Sequence, residues 1–128
     1  MLVDADMDGF SSAAMLINYI HMQQRVGDWK EYHPEIKPLF HSDKMHGLND
    51  MQIMRQIRDE IRPDLLIIPD ASGSEDQYND LAHFNIDILV LDHHDTVIRG
   101  NGNNIVVINN QHSPRYTNKA FCGAGVVW

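Results

Sequence analysis

Three short apolar runs, each with a polar side chain at its carboxyl end, constrain the fold of this chain more than any other feature. Residues 65–68 read Leu-Leu-Ile-Ile, and residues 86–91 and 105–108 are also dominated by Ile, Leu and Val. Runs of this kind are typical of strands that are buried on both faces of a parallel sheet. Because helical patterns lie between the runs, the sequence predicts an α/β fold: a doubly wound, mostly parallel sheet with helices on both faces.

The same patterns predict where the individual elements begin and end. Strands are expected at residues 1–3, 37–41, 65–68, 86–91 and 105–108, and Pro38 would confine the second of them to a sheet edge. Helices are expected over Ser11–Arg25, Asp50–Arg62 and Ser74–Phe84, and a further helix opens at Gly123.

Local signals predict how these helices are capped and which faces they bury. Ser11 or Ser12 is expected to cap the first helix, and Gly27 lies just beyond its end. Ser74 with Gln77 forms a capping-box pattern at the start of the third helix. In the second helix, apolar residues at helical spacing predict a buried face made of Met51, Met54, Ile57 and Ile61.

Length and composition limit the classes of protein to which this chain can belong. Its 128 residues fit one domain, and 43% hydrophobic with 22% charged residues is a globular composition. No apolar run is long enough to span a membrane, no leader is visible, and Cys122 has no second cysteine to pair with, so we expect a cytoplasmic protein without membrane contact. The net charge of −8 argues against a stand-alone binder of polyanions, whereas acidic residues gathered at one site would suit divalent cations.

Acidic and imidazole side chains stand at the predicted strand ends. Asp4, Asp70 and Asn109 each follow an apolar run, and Asp92-His93-His94 follows the run at residues 86–91. Parallel strands of an open sheet end at the same edge, and ligands bind in the crevice beyond it. A mixed set of carboxylate and imidazole ligands suits Mn²⁺, and carboxylates alone suit Mg²⁺. The sequence therefore predicts a divalent-metal site at this edge.

The segment Asp4-Ala5-Asp6-Met7-Asp8-Gly9 admits several interpretations. An EF-hand calcium loop fails, because its twelfth position is Met15 instead of Glu and no helix precedes it. A haloacid-dehalogenase-like phosphatase, which would form an aspartyl-phosphate on Asp6, remains an alternative, although Asp4 interrupts the apolar strand that such an enzyme needs. A receiver domain needs a lysine directly after the last strand, where Asn109 stands. A non-catalytic module that binds metal or phosphate also remains open.

Four segments, taken together, resemble the DHH phosphoesterases, and specifically their RecJ-like branch. Residues 3–9 resemble the first motif of that family, and residues 69–74 lie where its second motif carries an aspartate. Leu91-Asp92-His93-His94 resembles the triplet for which the family is named, and residues 122–126 resemble its glycine-rich segment. The four segments occur in the family's order and extend over the whole chain.

This resemblance implies an activity and a set of site residues. It implies metal-dependent phosphodiester hydrolysis by a water activated between two Mn²⁺ or Mg²⁺ ions, most simply a 5′-to-3′ exonuclease acting on single-stranded DNA. His94 matches the histidine expected near the scissile phosphate, and Asp92 would orient the histidines. Asp8 matches a third acidic position of the first motif and is also expected near the metals. The remaining metal ligands that the resemblance implies are Asp4, Asp6, Asp70 and His93.

The sequence also departs from the family pattern. A further aspartate ligand and a second, substrate-binding domain would follow the last segment, but the sequence ends at Trp128. We therefore expect residues 1–128 to be a DHH phosphoesterase domain that is incomplete at its carboxyl end and has little activity alone. Arg115 and Lys119 are weak candidates for substrate contacts, as is Arg99, although each is more simply interpreted as a solvated surface charge.

Overall fold

Every strand pair among the described residues is parallel. The computed structural model describes residues 1–27, 29, 31–41, 45–95 and 102–128. The strands are β1 (Leu2–Val3), β2 (Leu39–Phe40), β3 (Leu65–Pro69), β4 (Asp87–Asp92) and β5 (Ile105–Asn109). The α-helices are α1 (Met7–Val26), α2 (Met51–Arg55), α3 (Glu75–Ala82) and α4 (Gly123–Val127). A 3₁₀ turn at Gly47–Asn49 precedes α2, and a π-helical segment at Gln56–Ile61 continues it.

The strands form two parallel sheets in the described part of the chain. Strand β1 pairs with β2, and the other sheet has the order β3-β4-β5 with β4 in the centre. Leu66 pairs with Ile88, which in turn pairs with Ile105, so the three strands run in step. Strand β1 contacts β3, but with only two residues it does not extend the β3 ladder. The predicted α/β fold with parallel strands is confirmed.

The main core lies between the larger sheet and the helices α2 and α3. Leu66, Ile68, Ile88 and Val90 alternate along β3 and β4, and none is more than 2% exposed. Alternate residues of a strand point to the same face, so these four cover one face of the sheet. They belong to one cluster with helical side chains that include Ile53, Ile57, Tyr78 and Leu81. Burying each such side chain stabilises the fold by about 1.5–3 kcal/mol, so the core fixes β3 and β4 side by side.

Helix α1 begins four residues earlier than the sequence indicated. Its first residue is Met7, and the Asp6 carboxylate caps it by accepting a hydrogen bond from Gly9 N at 2.8 Å. The expectation that Ser11 or Ser12 caps this helix is wrong. Aspartate is as good a cap as serine, and here it stands where the chain leaves the strand end. The predicted end of the helix before Gly27 is confirmed.

Helix α2 is capped by Asp50, and its predicted buried face is confirmed in part, because Ile57 is 0% exposed and Met54 packs against the core. Asp50 accepts a hydrogen bond from Gln52 N at 2.8 Å. Met51, expected in the buried face, is 79% exposed, and Ile53 is buried instead. Met51 is the first residue of α2, whereas Ile53 and Ile57 lie four residues apart and so share the buried face. The helix still ends before Pro63.

The remaining helices and the edge strand follow the sequence closely. The capping box of α3 is present, because Gln77 N donates to Ser74 Oγ and Ser74 N donates to Gln77 Oε1. Strand β2 lies after Pro38 at the edge of its sheet, as expected. Among the helices of the described residues, none combines the length and the apolar character needed to cross a membrane.

Candidate metal centre

Four polar side chains stand where the parallel strands end. Asp4 follows β1, Asp70 follows β3, and Asp92 and Asn109 are the last residues of β4 and β5. Their exposed fractions are 2%, 1%, 0% and 6%, respectively. Carboxylates are rarely buried to this extent unless they are paired or bind a cation. The sheet therefore carries buried charge at the edge where a ligand is expected.

Asp70 and His93 are in direct contact across the ends of β3 and β4. The Nε2 atom of His93 lies 3.1 Å from Asp70 Oδ1. Asp70 N donates to Leu91 O at 2.8 Å, which fixes the residue beside β4. Asp70 also has a φ of 59°, a left-handed backbone conformation that costs a non-glycine residue about 1–3 kcal/mol. Such strain persists where the surrounding structure holds a functional group in place.

His94 completes a group of ligand atoms with Asp70 and His93. Each of these residues offers one oxygen or nitrogen atom, and the three atoms lie within 4.8 Å of one another. The imidazole rings of the two histidines are 4.5 Å apart between centroids. Two members of this group, Asp70 and His93, were predicted as metal ligands, whereas His94 was predicted near the phosphate. The other predicted ligands, Asp4, Asp6 and Asp8, lie outside the group.

The environment of Asp70 opposes a negative charge in the absence of a cation. Burial raises the pKa of Asp70 to about 7, and the neighbouring charges of Asp8 and Asp6 act in the same direction. A nearby positive ion reverses this effect, because it favours the ionised carboxylate. A cation bound at this cluster would therefore offset the unfavourable environment of the Asp70 carboxylate.

Asp92 holds the two histidines in place through one carboxylate oxygen. Its Oδ1 accepts hydrogen bonds from His93 N at 2.8 Å and His94 N at 3.3 Å, and it lies 2.7 Å from His94 Nδ1. Burial disfavours the charged ring, but the hydrogen bond and the charge of Asp92 raise the pKa of His94 above its ordinary value. Asn109 supports the same turn by donating from Nδ2 to His94 O at 2.9 Å.

Asp4 is paired with a histidine that the sequence did not single out. The Nδ1 atom of His46 lies 2.8 Å from Asp4 Oδ2, although 42 residues separate the two in the chain. The hydrogen bond with Asp4 and its negative charge raise the pKa of His46. As one exposed histidine among eight, His46 carries no pattern that would have identified it.

Asp6 and Asp8 flank the start of α1 and differ in their contacts. Asp6 is exposed and uses Oδ1 to cap the helix. Asp8 accepts hydrogen bonds from Gly123 N at 2.7 Å and from Ala124 N at 2.9 Å, and its Oδ2 lies 3.6 Å from His93 Nε2. Burial opposes the charge on Asp8, but these amides, with the Cys122 side chain, hold its pKa below the ordinary value. Asp8 thus joins the first turn of α4 to the site, and its role as a metal ligand stays a prediction.

The basic residues considered as substrate contacts lie on the loop after β5. The Lys119 ammonium group donates to three carbonyl oxygens of that loop, those of Asn110, Gln111 and Ser113. Arg115 is exposed on the same loop. Arg99 lies outside the described residues. The contacts of Lys119 organise the loop, and a role in substrate binding stays a prediction for both Arg115 and Lys119.

The residues present fit a divalent metal ion. Among the described residues, the buried oxygens Asp4 Oδ1 and Asp92 Oδ2 have no hydrogen-bond partner, and Asp70 Oδ1 has none beyond its 3.1 Å ion-pair contact with His93 Nε2. Leaving one such buried acceptor unsatisfied costs about 1–3 kcal/mol, and more when it is charged. Carboxylate oxygens beside imidazole nitrogens are a donor set that suits Mn²⁺, with Mg²⁺ favoured where oxygens dominate.

Comparison with known proteins places the chain in a family. Residues 2–128 match the model described as "DHH family, N-terminal domain". Over 127 residues the chain is 34% identical to "Putative SPbeta prophage-derived single-strand DNA-specific exonuclease YorK" of Bacillus subtilis (strain 168). It is equally similar to "Putative single-strand DNA-specific exonuclease yorK" of Bacillus phage SPbeta. Each alignment covers 98% of this chain but only 19% of the relative, so the chain spans about one fifth of their length. No solved structure matches the chain. The match over nearly all residues shows that this chain belongs to the DHH family, whose N-terminal domain it represents.

Proposed function

We propose that this chain is the metal-binding domain of a phosphoesterase that hydrolyses single-stranded DNA from its 5′ end. The contact between Asp70 and His93, together with the buried and unpartnered oxygens of Asp4 and Asp92, carries this proposal. The names of the two relatives, which describe exonucleases specific for single-stranded DNA, support the choice of substrate. The polarity comes from the resemblance to RecJ-like enzymes, and a DNA substrate agrees with a cytoplasmic location.

The proposed ligands differ in how they are held. Asp70 and His93 are fixed against each other, and Asp4 is buried with one free oxygen. Asp6 is exposed at the start of α1, where its second oxygen can reach a ligand from the solvent side. When bound, a pair of Mn²⁺ or Mg²⁺ ions would supply an activated water and offset charge on the phosphate. We propose that they are held by Asp4, Asp6, Asp70 and His93, with Asp8 as a further candidate.

The residues around the metal position each have a task in this reaction. Asp92 fixes the backbone and ring of His94 through Oδ1. The His94 side chain is 44% exposed, so it can donate a hydrogen bond to a non-bridging oxygen of a phosphate in the crevice. A donor placed there in advance stabilises the charge that develops on the phosphate during hydrolysis. Asp92 thus acts as a positioning residue, and His94 is the group that we place on the substrate.

Membership of the DHH family leaves the phosphatase interpretation without support. A haloacid-dehalogenase-like mechanism would need Asp6 as a nucleophile, and the family match over residues 2–128 gives that mechanism no support. The non-catalytic alternative, a module that binds metal or phosphate without hydrolysis, differs from our proposal only in its products.

The proposal is tested by incubating the chain with Mn²⁺ and a single-stranded oligonucleotide that carries a 5′ phosphate and a 3′ label. Because residues 1–128 are expected to have little activity alone, we expect mononucleotides to be released from the 5′ end slowly, but faster than without Mn²⁺, and we expect Mn²⁺ to raise the melting temperature. Asp70→Asn should abolish both effects, whereas Asp80→Asn, an exposed residue on α3, should preserve them. Metal binding without hydrolysis would favour the non-catalytic module, and absence of Mn²⁺ binding would contradict both functions.

A further inference from the structure

His46 lies at the same edge of the sheets as the proposed metal ligands. Its Nδ1 atom is 2.8 Å from Asp4 Oδ2, and its side chain is 58% exposed, whereas Asp4 is 2% exposed. A carboxylate can only accept a hydrogen bond, so the ring must donate through Nδ1. This donation occurs whether or not the second ring nitrogen carries a proton. One oxygen of Asp4 is therefore committed to His46.

The position of His46 is fixed by the turn that follows it. Gly47 has a φ of 60°, and a Cβ atom added there would lie 1.6 Å from Ser72 O. Leu48 N donates to Ser72 O at 3.4 Å, and the Leu48 side chain is 1% exposed within the core. Ser72 is two residues beyond Asp70, so this turn is attached to the loop that leaves the metal site.

A second set of contacts fixes the same turn. Gln77 Nε2 donates to Leu48 O at 3.2 Å, and Asn49 Nδ2 donates to His46 O at 3.3 Å. Gln77 is also a member of the α3 capping box, so the turn is tied to the start of that helix. An exposed histidine placed by this many backbone contacts is unlike a freely rotating surface side chain. The pairing with Asp4 is built into the fold.

The two oxygens of Asp4 have different surroundings. Oδ2 faces His46, whereas Oδ1 is buried and has no hydrogen-bond partner among the described residues. We propose that His46 is a positioning residue, which holds Asp4 through Oδ2 and so presents Oδ1 as the oxygen that binds metal. This inference rests on the proposed role of Asp4 as a ligand. Groups that orient a metal ligand in this way typically contribute about 10–100-fold to metal affinity.

Three substitutions of His46 distinguish this role from others. Asparagine places an amide NH₂ close to the position of Nδ1, so it can still donate to Asp4. Glutamine extends further and places its NH₂ close to the position of Nε2. Alanine removes both groups. His21→Ala, an exposed histidine on α1, is the matched control.

The measurement is the Mn²⁺ dissociation constant of the full chain, determined by titration followed by electron paramagnetic resonance. We expect His46→Ala to weaken Mn²⁺ binding about 10–100-fold, with little change in the melting temperature of the metal-free protein. His46→Asn should recover most of the affinity, whereas His46→Gln should not. His21→Ala should bind Mn²⁺ like the wild type.

Several outcomes would overturn the inference, and they differ from a failure of the proposed function. Wild-type affinity in His46→Ala, or recovery by glutamine instead of asparagine, contradicts positioning of Asp4 through Nδ1. If Asp70→Asn loses Mn²⁺ while His46→Ala keeps it, the metal site stands and only this inference fails. If the wild type binds no Mn²⁺, both fail. If it binds Mn²⁺ and His46→Ala does not, but no DNA is cleaved, the inference stands without the nuclease.

Discussion

The backbone of Gly123 lies against the carboxylate of Asp70, so closely that a Cβ atom at residue 123 would stand 2.0 Å from Asp70 Oδ1. That oxygen is the one that contacts His93. Real Cβ atoms do not approach another atom so closely, so the first turn of α4 can occupy this position only with glycine. The glycine-rich segment is thus part of the wall of the proposed metal site.

We expect Gly123→Ala to weaken Mn²⁺ binding by about tenfold or more, because either Asp70 or α4 must move to make room. The matched control is Gly102→Ala, where an added Cβ would meet its nearest atom at 3.4 Å, an ordinary contact. Isothermal titration with Mn²⁺ measures both variants. Equal affinities for the two would show that the close approach of Gly123 does not matter for the site.

Asp8→Asn tests how the first motif is joined to α4. An asparagine retains one acceptor oxygen, so one of the two hydrogen bonds from Gly123 and Ala124 is lost. Hydrogen bonds to a charged acceptor contribute about 1.5–3 kcal/mol, and we expect the free energy of unfolding without metal to fall by about that amount. Chemical denaturation measures it. Unchanged stability combined with weaker Mn²⁺ binding would instead assign Asp8 to the metal alone.

Mn²⁺ should stabilise the folded protein, because the buried carboxylates repel one another without a cation. At a concentration about 100 times the dissociation constant, a ligand of the folded state adds about 2.7 kcal/mol. For a chain of this size that corresponds to a rise of roughly 10 °C in melting temperature. Chelation should reverse the rise, and Asp70→Asn should not show it. A melting temperature indifferent to Mn²⁺ would count against the site.

Asp50 provides a prediction for the fold that is independent of the metal site. Burial opposes its charge, but the amide of Gln52 and the His41 ring hold its pKa below the ordinary 3.8. Its stabilising contribution is therefore complete above that value and is lost as the pH falls through the lower pKa of the folded state. Asp50→Ala should reduce the free energy of unfolding by about 1 kcal/mol at neutral pH, and Asp50→Asn should reduce it less.

Denaturant titrations at neutral pH and at about pH 3 measure this effect. The difference between the wild type and Asp50→Ala should shrink at the lower pH, because that pH lies below the ordinary carboxyl pKa and the unfolded chain then binds the proton in preference to the folded one. A difference that stays constant between the two conditions would show that the charge of Asp50 does not stabilise α2.

The sequence predicted which polar side chains stand at the strand ends better than it predicted the contacts among them. The apolar runs that end in Asp70 and Asp92 predict the position of these side chains, since the carboxyl ends of buried parallel strands lie at the ligand-binding edge of the sheet. Local features such as the capping box of Ser74 and Gln77 were also predicted correctly, because the two residues are only three positions apart. The pairing of His46 with Asp4 could not be predicted from local sequence, because it forms between a strand end and a turn that are distant in the chain.

Errors in the helices have a similar origin. Aspartate and serine cap helices equally well, so the local sequence does not distinguish Asp6, the observed cap of α1, from Ser11 or Ser12. Helical spacing fits both Met51, three residues before Met54, and Ile53, four residues before Ile57, and only Ile53 is buried by packing. No sequence pattern in residues 56–61 predicts that they form a π-helical segment. The contact of Gly123 with Asp70 likewise depends on how α4 packs and not on local sequence.

Anomalous scattering from crystals of this chain grown with Mn²⁺ is the most direct test of the central claim. We expect two peaks at the carboxyl ends of β1, β3 and β4, with oxygen and nitrogen ligands from Asp4, Asp6, Asp70 and His93. Peaks elsewhere on the surface, or no peak beside the Asp70 and His93 pair, would contradict the account.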